Sequence, residues 1–502
     1  MIAKIHSAGL FGIDAHHVTV EVDVARGLPG WHMVGLPETA VKESKDRVTA
    51  ALRNSGYQIN VRKTTINLAP ARYKKSGTAF DLPIAVGLLQ ANQLIPPQAT
   101  RKWLFIGELS LSGTLQPVPG ALSAALCAKE RGYGLVVPSA NADEVGLVDG
   151  LPWIAANHLP EVVTFFLEKG TPPPRKPVAF TDECYQVDLH EIKGQAIGRR
   201  ALEISAAGGH HLFFIGAPGT GKTMLAQRLP TILPTLTRDE MIEVTQIHSA
   251  LNPGAHSGLT TVRPFRAPHH SASAVGMAGG GAVPQAGEIT MAHRGVLFLD
   301  EVGEFHRDVV EVLRQPLESG QIAITRAGHR VRLPAQFQLV VATNPCRCGY
   351  FGHPTIACIC TMSRIQQYRG KLSGPLLDRI DLHVELGPLS AADLAPSTAG
   401  ESSADVRVRV LAARSRQAAR GSDGEVLLNA RLGPRHLKEH CEPTAEGRAL
   451  LMQAIERQGF SARAHDRILR VARTIADLAG DAKVAAPHVA EALQYRVLDR
   501  PL

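Results

Sequence analysis

The chain has 502 residues, a length that suits two to four domains with sizeable cores. Its 44% hydrophobic and 20% charged residues fit a globular protein, and 54 basic against 46 acidic side chains give a charge of +8, which permits an anionic partner without demanding one. No run of about 18 apolar residues occurs, and Met1-Ile2-Ala3-Lys4 leads straight into mixed polar sequence, so neither a membrane span nor a signal peptide is expected, and a cytoplasmic location is. Cys127, Cys184 and Cys441 are scattered, whereas Cys346, Cys348, Cys358 and Cys360 are clustered, which in such a compartment points to metal rather than disulfides.

Residues 1–168 alternate strand-like and helix-like segments. Val18 to Val24 places apolar side chains at every second position, the pattern of a strand with one buried face. Glu38 to Ser55 predicts an amphipathic helix, Thr64 to Leu68 a strand, Asp81 to Leu89 an apolar helix, Trp103 to Leu109 a strand and Gly120 to Gly132 an Ala-rich helix. The stretches RGLPGWHMVGLPETAVKESKDRV, INLAP, GTAFDLPIAVGLL and GELSLSG resemble the N-terminal domain of the ComM/YifB family of magnesium-chelatase-like proteins. That resemblance implies a fold similar to the Lon protease catalytic domain. Proteolysis there needs a serine activated by a lysine. The resemblance puts Thr78 at the nucleophile position and Ala124 near the lysine position, so a protease-like fold without protease chemistry is expected.

Gly170 to Pro177 is rich in proline and reads as a linker, within a boundary drawn at 169–185. The strand-like run His211 to Ile215 is followed by GAPGTGKT, from Gly216 through Ala217, Pro218, Gly219, Thr220, Gly221 and Lys222 to Thr223, and then by a helix start. Strand, G-x-x-x-x-G-K-T and helix form a phosphate-binding loop in its required context. Its backbone N–H groups and the helix N-terminus suit a polyphosphate, Lys222 the β- and γ-phosphates, and the Thr223 hydroxyl Mg²⁺. Val296 to Leu299 is a buried strand ending in Asp300-Glu301, 77 residues after Thr223. Asp300 is expected to orient the Mg²⁺ shell and Glu301 to polarise the attacking water.

Further segments resemble AAA+ ATPases. Gly194-Gln195, before a helix from Arg199 to Ala207, resembles the approach to the adenine. Phe337 to Asn344 resembles the sensor-1 strand, with Asn344 holding water or γ-phosphate. Ser373 to Leu382 resembles the segment that carries the arginine finger, which implies that Arg379 reaches a neighbouring subunit's nucleotide; a structural Arg–Asp pair through Asp378 or Asp381 is the alternative. Arg463, Arg467 and Arg470 fall on one helix face, opposite Ile468, Leu469 and Ala472. Here the sensor-2 resemblance favours Arg463 and then Arg470, against a solvated basic face.

Ile322 to Leu333 alternates on both sides of Ala327-Gly328 and predicts a β-hairpin. The resemblance implies a pore hairpin gripping DNA, with Arg326, His329 and Arg330 as the contacts. Ala278 to Pro284 reads as a flexible loop, and His269-His270 as structural or polar residues rather than ligands. Two C-x-C pairs nine residues apart, Cys346/Cys348 and Cys358/Cys360, supply four thiolates for a structural Zn²⁺, with an iron–sulfur cluster or free thiols as alternatives. The Arg-rich segment Ser402 to Gly421 reads as a solvated helix with nucleic acid as a second option, and Pro487 to Val497 as a final helix.

The fold class is therefore α/β: a Lon-protease-like domain over 1–168, a P-loop AAA+ core with a parallel sheet over 186–390, and a helical lid over 391–502. The resemblance covers essentially the whole chain. It implies ATP and Mg²⁺ as cofactors, a homohexameric ring, and a motor that promotes branch migration of single-stranded or branched DNA during natural transformation. A magnesium-chelatase motor subunit acting on a protein partner, and a Lon-type protease, are the competing readings.

Overall fold

The computed structural model describes residues 2–498 except 60–62, 73, 169, 172–184, 252–258, 281–284, 327–328, 371–373, 391–392, 394–399, 422–426 and 497. Most of the Pro-rich segment, the 281–284 part of the glycine loop and the Ala327-Gly328 hairpin tip lie outside the described residues.

Seven strands make the first sheet: β1 (Ile2–Phe11), β2 (Asp14–Ala25), β3 (Gly30–Val34), β4 (Lys63–Ala69), β5 (Trp103–Phe105), β6 (Gly134–Pro138) and β7 (Trp153–Ala156). Their order is β3-β4-β2-β1-β5-β6-β7, antiparallel where β2 meets β1 and β4 and parallel elsewhere. Val18, Val20 and Val22 point into the core, as the period of two requires. Helix α1 (Asp81–Ala91) is buried on nearly every side and lies so close to the sheet that a Cβ on Gly87 would meet Val22 Cγ2 at 2.6 Å. Helix α2 (Ala121–Glu130) covers the same sheet. Two expectations change. The strand read over Trp103–Leu109 stops at Phe105 and resumes as Glu108–Leu109, because the Gly107 N–H bonds to the Ala79 carbonyl instead of a strand. The helix read over Glu38–Ser55 is two helices, Thr39–Lys42 and Ser44–Asn54, joined at Glu43.

After α3 (Ala196–Gly208) come β8 (Leu212–Gly216), α4 (Lys222–Ile232), α5 (Arg238–Leu251), β9 (Phe265–Arg266), β10 (Val296–Leu299), β11 (Gln321–Arg326), β12 (His329–Pro334), β13 (Gln338–Thr343), α6 (Met362–Gly370) and β14 (Leu382–Leu386). Five of these strands form a parallel sheet in the order β9-β10-β13-β8-β14. β8 and β10 are buried at every position, as strands covered on both faces must be. The order sets the C-terminal ends of β10, β13 and β8 side by side, the place where α/β sheets bind ligands.

β11 and β12 pair antiparallel with Arg326 opposite His329 and Thr325 opposite Arg330, so the two strands meet in the register the sequence predicts. Ile322, Ile324, Val331 and Leu333 share a core with Ile13 from the β1–β2 turn. Helix α5 docks on the first sheet: Gly120 N donates to Ser249 O (3.0 Å), and Gln246 Nε2 to Ile13 O (3.1 Å). The glycine loop is closed at its base by a two-residue ladder between Gly279–Gly280 and Gln285–Ala286.

Helices α7 (Ser403–Ala418), α8 (Ala462–Ala479) and α9 (Ala486–Gln494) dominate the C-terminal part. The arginines of α7 are tied to protein groups rather than left to water alone, although Arg416 is exposed. Arg407 Nε donates to Thr231 O (2.9 Å), Arg414 Nε to Ala206 O (3.0 Å) and Arg416 Nη1 to Asp477 O (2.7 Å). Thr231, Ala206 and Asp477 lie in the last turns of α4, α3 and α8, where carbonyls have no intrahelical partner. Arg409 and Arg420 pair with Glu203 and Asp477. The Arg-rich helix thus closes three helix ends, which corrects its reading as a solvated or nucleic-acid face.

Candidate functional site

The loop between β8 and α4 has the shape its glycines dictate. Gly219 and Gly221 have φ of +80° and +87°, a left-handed backbone that glycine adopts without a Cβ clash. Lys222 Nζ donates to Gly216 O (2.7 Å), Ala217 O (3.0 Å) and Asn344 Oδ1 (3.1 Å), so the lysine rests across the loop and touches the end of β13. Burial lowers the pKa of its ammonium, and the charges of Asp300 and Glu301 oppose that shift. Thr223 Oγ1 donates to Asp300 Oδ2 (2.8 Å), and Asp300 Oδ1 accepts from the Glu301 N–H (2.9 Å). Glu301 is held at φ +49°, an unusual conformation for a residue with a side chain and one that recurs at functional sites. Lys222, Thr223, Asp300, Glu301 and Asn344 therefore converge from three adjacent strand ends.

Arg379 and Arg463 do not join them. Leu212 pairs with Leu382 and Gly216 with Leu386. The phosphate loop follows Gly216, whereas Arg379 precedes Leu382 at the other end of the sheet. Four strand steps, about 13 Å, separate the two ends. The opposite end is fixed by Asp381, whose Oδ2 is 2.8 Å from His210 Nδ1 and whose Oδ1 is 3.6 Å from Arg467 Nε. Burial would raise the Asp381 carboxyl, but the His210 hydrogen bond and the charges of His210 and Arg467 hold it at about 2. Arg379 pairs with Glu318, and Arg463, at the start of α8, is exposed and 3.0 Å from Asp378. Arg467 is mostly buried against Asp381 and Arg470 Nε donates to Leu432 O (3.0 Å), so the three arginines of α8 do not form one solvated face.

Beside the phosphate loop lies a cleft of about 270 Å³ lined by Gln195, Ile197, Glu385, Gly387, Pro388 and Leu389 among others. Gln195 Nε2 donates to Thr220 O (3.0 Å) and Gly387 O (2.8 Å), which ties the approach segment to the loop. Residues 385–389 were not expected at a site. Their only signal is position, since they leave the C-terminal end of a parallel strand.

The four clustered cysteines converge on a single point: Cys346 Sγ is 3.3 Å from Cys348 Sγ and 3.7 Å from Cys358 Sγ, and all four sulfurs lie within 4.8 Å of one another. Such a group could hold a metal ion. Thr78 and Ala124 line one small cavity of about 30 Å³ between α1 and α2, and the Thr78 hydroxyl donates to Glu108. The hairpin backbone places Arg326 opposite His329; their side chains and that of Arg330 lie outside the described residues. His269 Nδ1 is 2.9 Å from Ser271 Oγ, and His270 packs edge-on to Phe305.

Residues 188–394 match the family model of the magnesium chelatase subunit ChlI, residues 20–141 a second model for subunit ChlI, and residues 400–496 that of the ChlI C-terminal part. The chain is 44% identical to the uncharacterized protein YifB of Escherichia coli (strain K12), across 100% of this chain and 98% of that protein. It is 41% identical to the competence protein ComM of Haemophilus influenzae, again across 100% and 98%.

The chain belongs to the ComM/YifB family of magnesium-chelatase-like proteins. A chloroplast magnesium-chelatase subunit ChlI-1 of Arabidopsis thaliana is similar over a shorter stretch, 29% identical across 22% of this chain and 21% of that protein. As a ComM/YifB-family member with a magnesium-chelatase-like AAA+ fold, the chain has a family background that points to ATP hydrolysis with Mg²⁺. Among the described residues no helix is long and apolar enough to cross a membrane.

Proposed function

We propose that this chain is an ATP-hydrolysing ring motor that acts on DNA. The observation that carries the ATPase reading is the convergence of Lys222, Thr223, Asp300, Glu301 and Asn344 at adjacent strand ends, with Arg379 beyond the opposite end of β14. The Thr223 hydroxyl and Asp300 carboxylate are hard oxygen donors already in contact, which suits Mg²⁺. ATP bound on residues 216–223 takes Lys222 from the loop carbonyls to its phosphates. Glu301 then orients the attacking water, and Asn344 contacts the water or the γ-phosphate. The purine sits in the cleft beside Gln195.

The position of Arg379 and Arg463 at the far end of the chain's own sheet supports reading them as supplied to each site by another copy. That supports a closed ring, with six copies as the family resemblance implies. The four thiolates suit Zn²⁺ better than an iron–sulfur cluster: 2.3 Å bonds in a tetrahedron put sulfurs about 3.8 Å apart, and several here are 3.3–3.7 Å apart. We divide the chain at 1–168, 186–390 and 391–502, a reading supported by its two main sheets and its C-terminal helices. In the first part, a threonine and an alanine facing one cavity favour a protease-like fold without the dyad.

The DNA reading rests on the hairpin before β13, with its basic Arg326, His329 and Arg330, and on kinship to a competence protein. Branch migration during natural transformation is the process we assign to it. The test is ATP hydrolysis by wild type and Lys222→Ala with and without forked DNA. Hydrolysis that depends on Lys222 and rises with DNA is expected, with stimulation falling steeply as salt rises. Hydrolysis indifferent to DNA would move the reading to a chelatase-type motor acting on a protein partner, which the ChlI family models favour.

A further inference from the structure

We propose that the four-cysteine loop binds one Zn²⁺ and that this ion holds the phosphate loop in its binding conformation, so that nucleotide affinity depends on the metal. The inference rests on reading Gly216–Thr223 as the nucleotide site. It goes beyond that reading in making the metal centre a structural part of it.

The cysteine loop and the helix after it reach all three elements of the site. Gly349, between the two cysteine pairs, lies on the phosphate loop: a Cβ there would meet Pro218 Cδ at 2.7 Å and Cγ at 2.9 Å. Cys346 is fully buried two residues after Asn344, whose side chain accepts from Lys222. Beyond Cys360, α6 returns to the site. Tyr368 Oη is 3.2 Å from Thr343 Oγ1, and its ring lies against Gly303, two residues after Glu301. Arg369 Nε donates to Pro345 O (3.3 Å).

The loop has no core of its own to keep it in this position. Among its apolar side chains, Ile356 and Ile359 are 44% and 85% exposed, and no helix or strand runs between Cys346 and Cys360. What brings its two ends together is the convergence of four sulfurs. Thiolates that close together repel unless a cation neutralises them, and a metal that binds only the assembled set converts its binding energy into order of the loop. Ordering the loop fixes Gly349 on Pro218 and Cys346 behind Asn344, the two sides of the cradle that Lys222 spans.

The test uses the full-length chain. Zinc content is measured, zinc is stripped with an organomercurial and chelator, and binding of a fluorescent ADP analogue is titrated before stripping, after it and after zinc is returned. Backbone hydrogen exchange is followed over 216–223 and over β1–β2. One zinc per chain is expected, with at least a ~10-fold loss of ADP affinity on stripping that zinc reverses. Exchange should rise over 216–223 and stay unchanged over β1–β2. A chain that carries no zinc, unchanged affinity after stripping, or faster exchange in β1–β2 to the same degree would each overturn the proposal. If the zinc-loaded chain itself fails to bind ADP, the nucleotide reading falls; if loaded and stripped chains bind equally, only the metal link does.

Discussion

Two places in this molecule, each where a helix meets a sheet, differ in what lines them: charged side chains converge at one, and no charged residue lines the small cavity at the other. Around the phosphate loop, an ammonium, two carboxylates, a hydroxyl and an amide converge, and burial shifts the pKa of Lys222. In the cavity between α1 and α2, a threonine hydroxyl spends its proton on Glu108, and Ala124 faces it with a methyl group. The buried ammonium of Lys75, three residues before Thr78, donates to Pro70 O. The difference is which side chains line the junction.

The largest effects should separate the two cavities by orders of magnitude. Lys222→Ala is expected to abolish ATP hydrolysis, and Arg379→Ala to lower kcat by about 10³ to 10⁵ while nucleotide affinity stays within a few-fold. Steady-state kinetics and a nucleotide titration on each variant check this. An Arg379→Ala chain with normal kcat would reduce that residue to an exposed pair with Glu318, a contact worth about 1 kcal/mol or less.

A smaller effect concerns pH. His211 is half-buried and its Nδ1 accepts from the Leu339 N–H (3.0 Å), and loss of solvent around the ring takes its pKa down to about 4; burial takes His383 well below its usual value. Both imidazoles are neutral in the folded chain and protonate near pH 6.5 when unfolded. Their contribution to stability is whole above pH 6.5 and is lost as pH falls toward the folded values. The slope is about 1.4 kcal/mol per pH unit for each. Urea midpoints between pH 7 and pH 5 should show it, and His383→Phe should make the slope shallower by one proton. An unchanged slope would mean that His383 protonates without unfolding.

The smallest expected effect is at the other cavity. Thr78→Ala should leave ATP hydrolysis unaltered and cost about 1 kcal/mol through its lost hydrogen bond. A marked loss of hydrolysis would show that the first sheet takes part in the motor's chemistry.

What the sequence disclosed depended on range. The phosphate loop, the Asp300-Glu301 strand end and Asn344 were legible because a few consecutive residues dictate both the local shape and the chemistry. The hairpin was legible from its alternation. That Arg379 sits at the opposite end of the sheet required the β8–β14 register, which no local pattern contains. Gly387, Pro388 and Leu389 carry no motif and join the site only through strand order. The arginines of α7 misled because a basic helical pattern looks the same whether it faces water or the carbonyl ends of three other helices. The break at Gly107 was hidden because the competing hydrogen bond comes from Ala79, distant in sequence.

The β8–β14 register has a genetic consequence. In the proposed ring, a chain without Arg379 keeps its own site intact and disables the site next door, whereas a chain without Lys222 disables its own. A cell making wild-type and Arg379→Ala chains together should be harmed well beyond the share of altered chains, and a ring mixing the two defects should contain complete sites that neither variant forms alone.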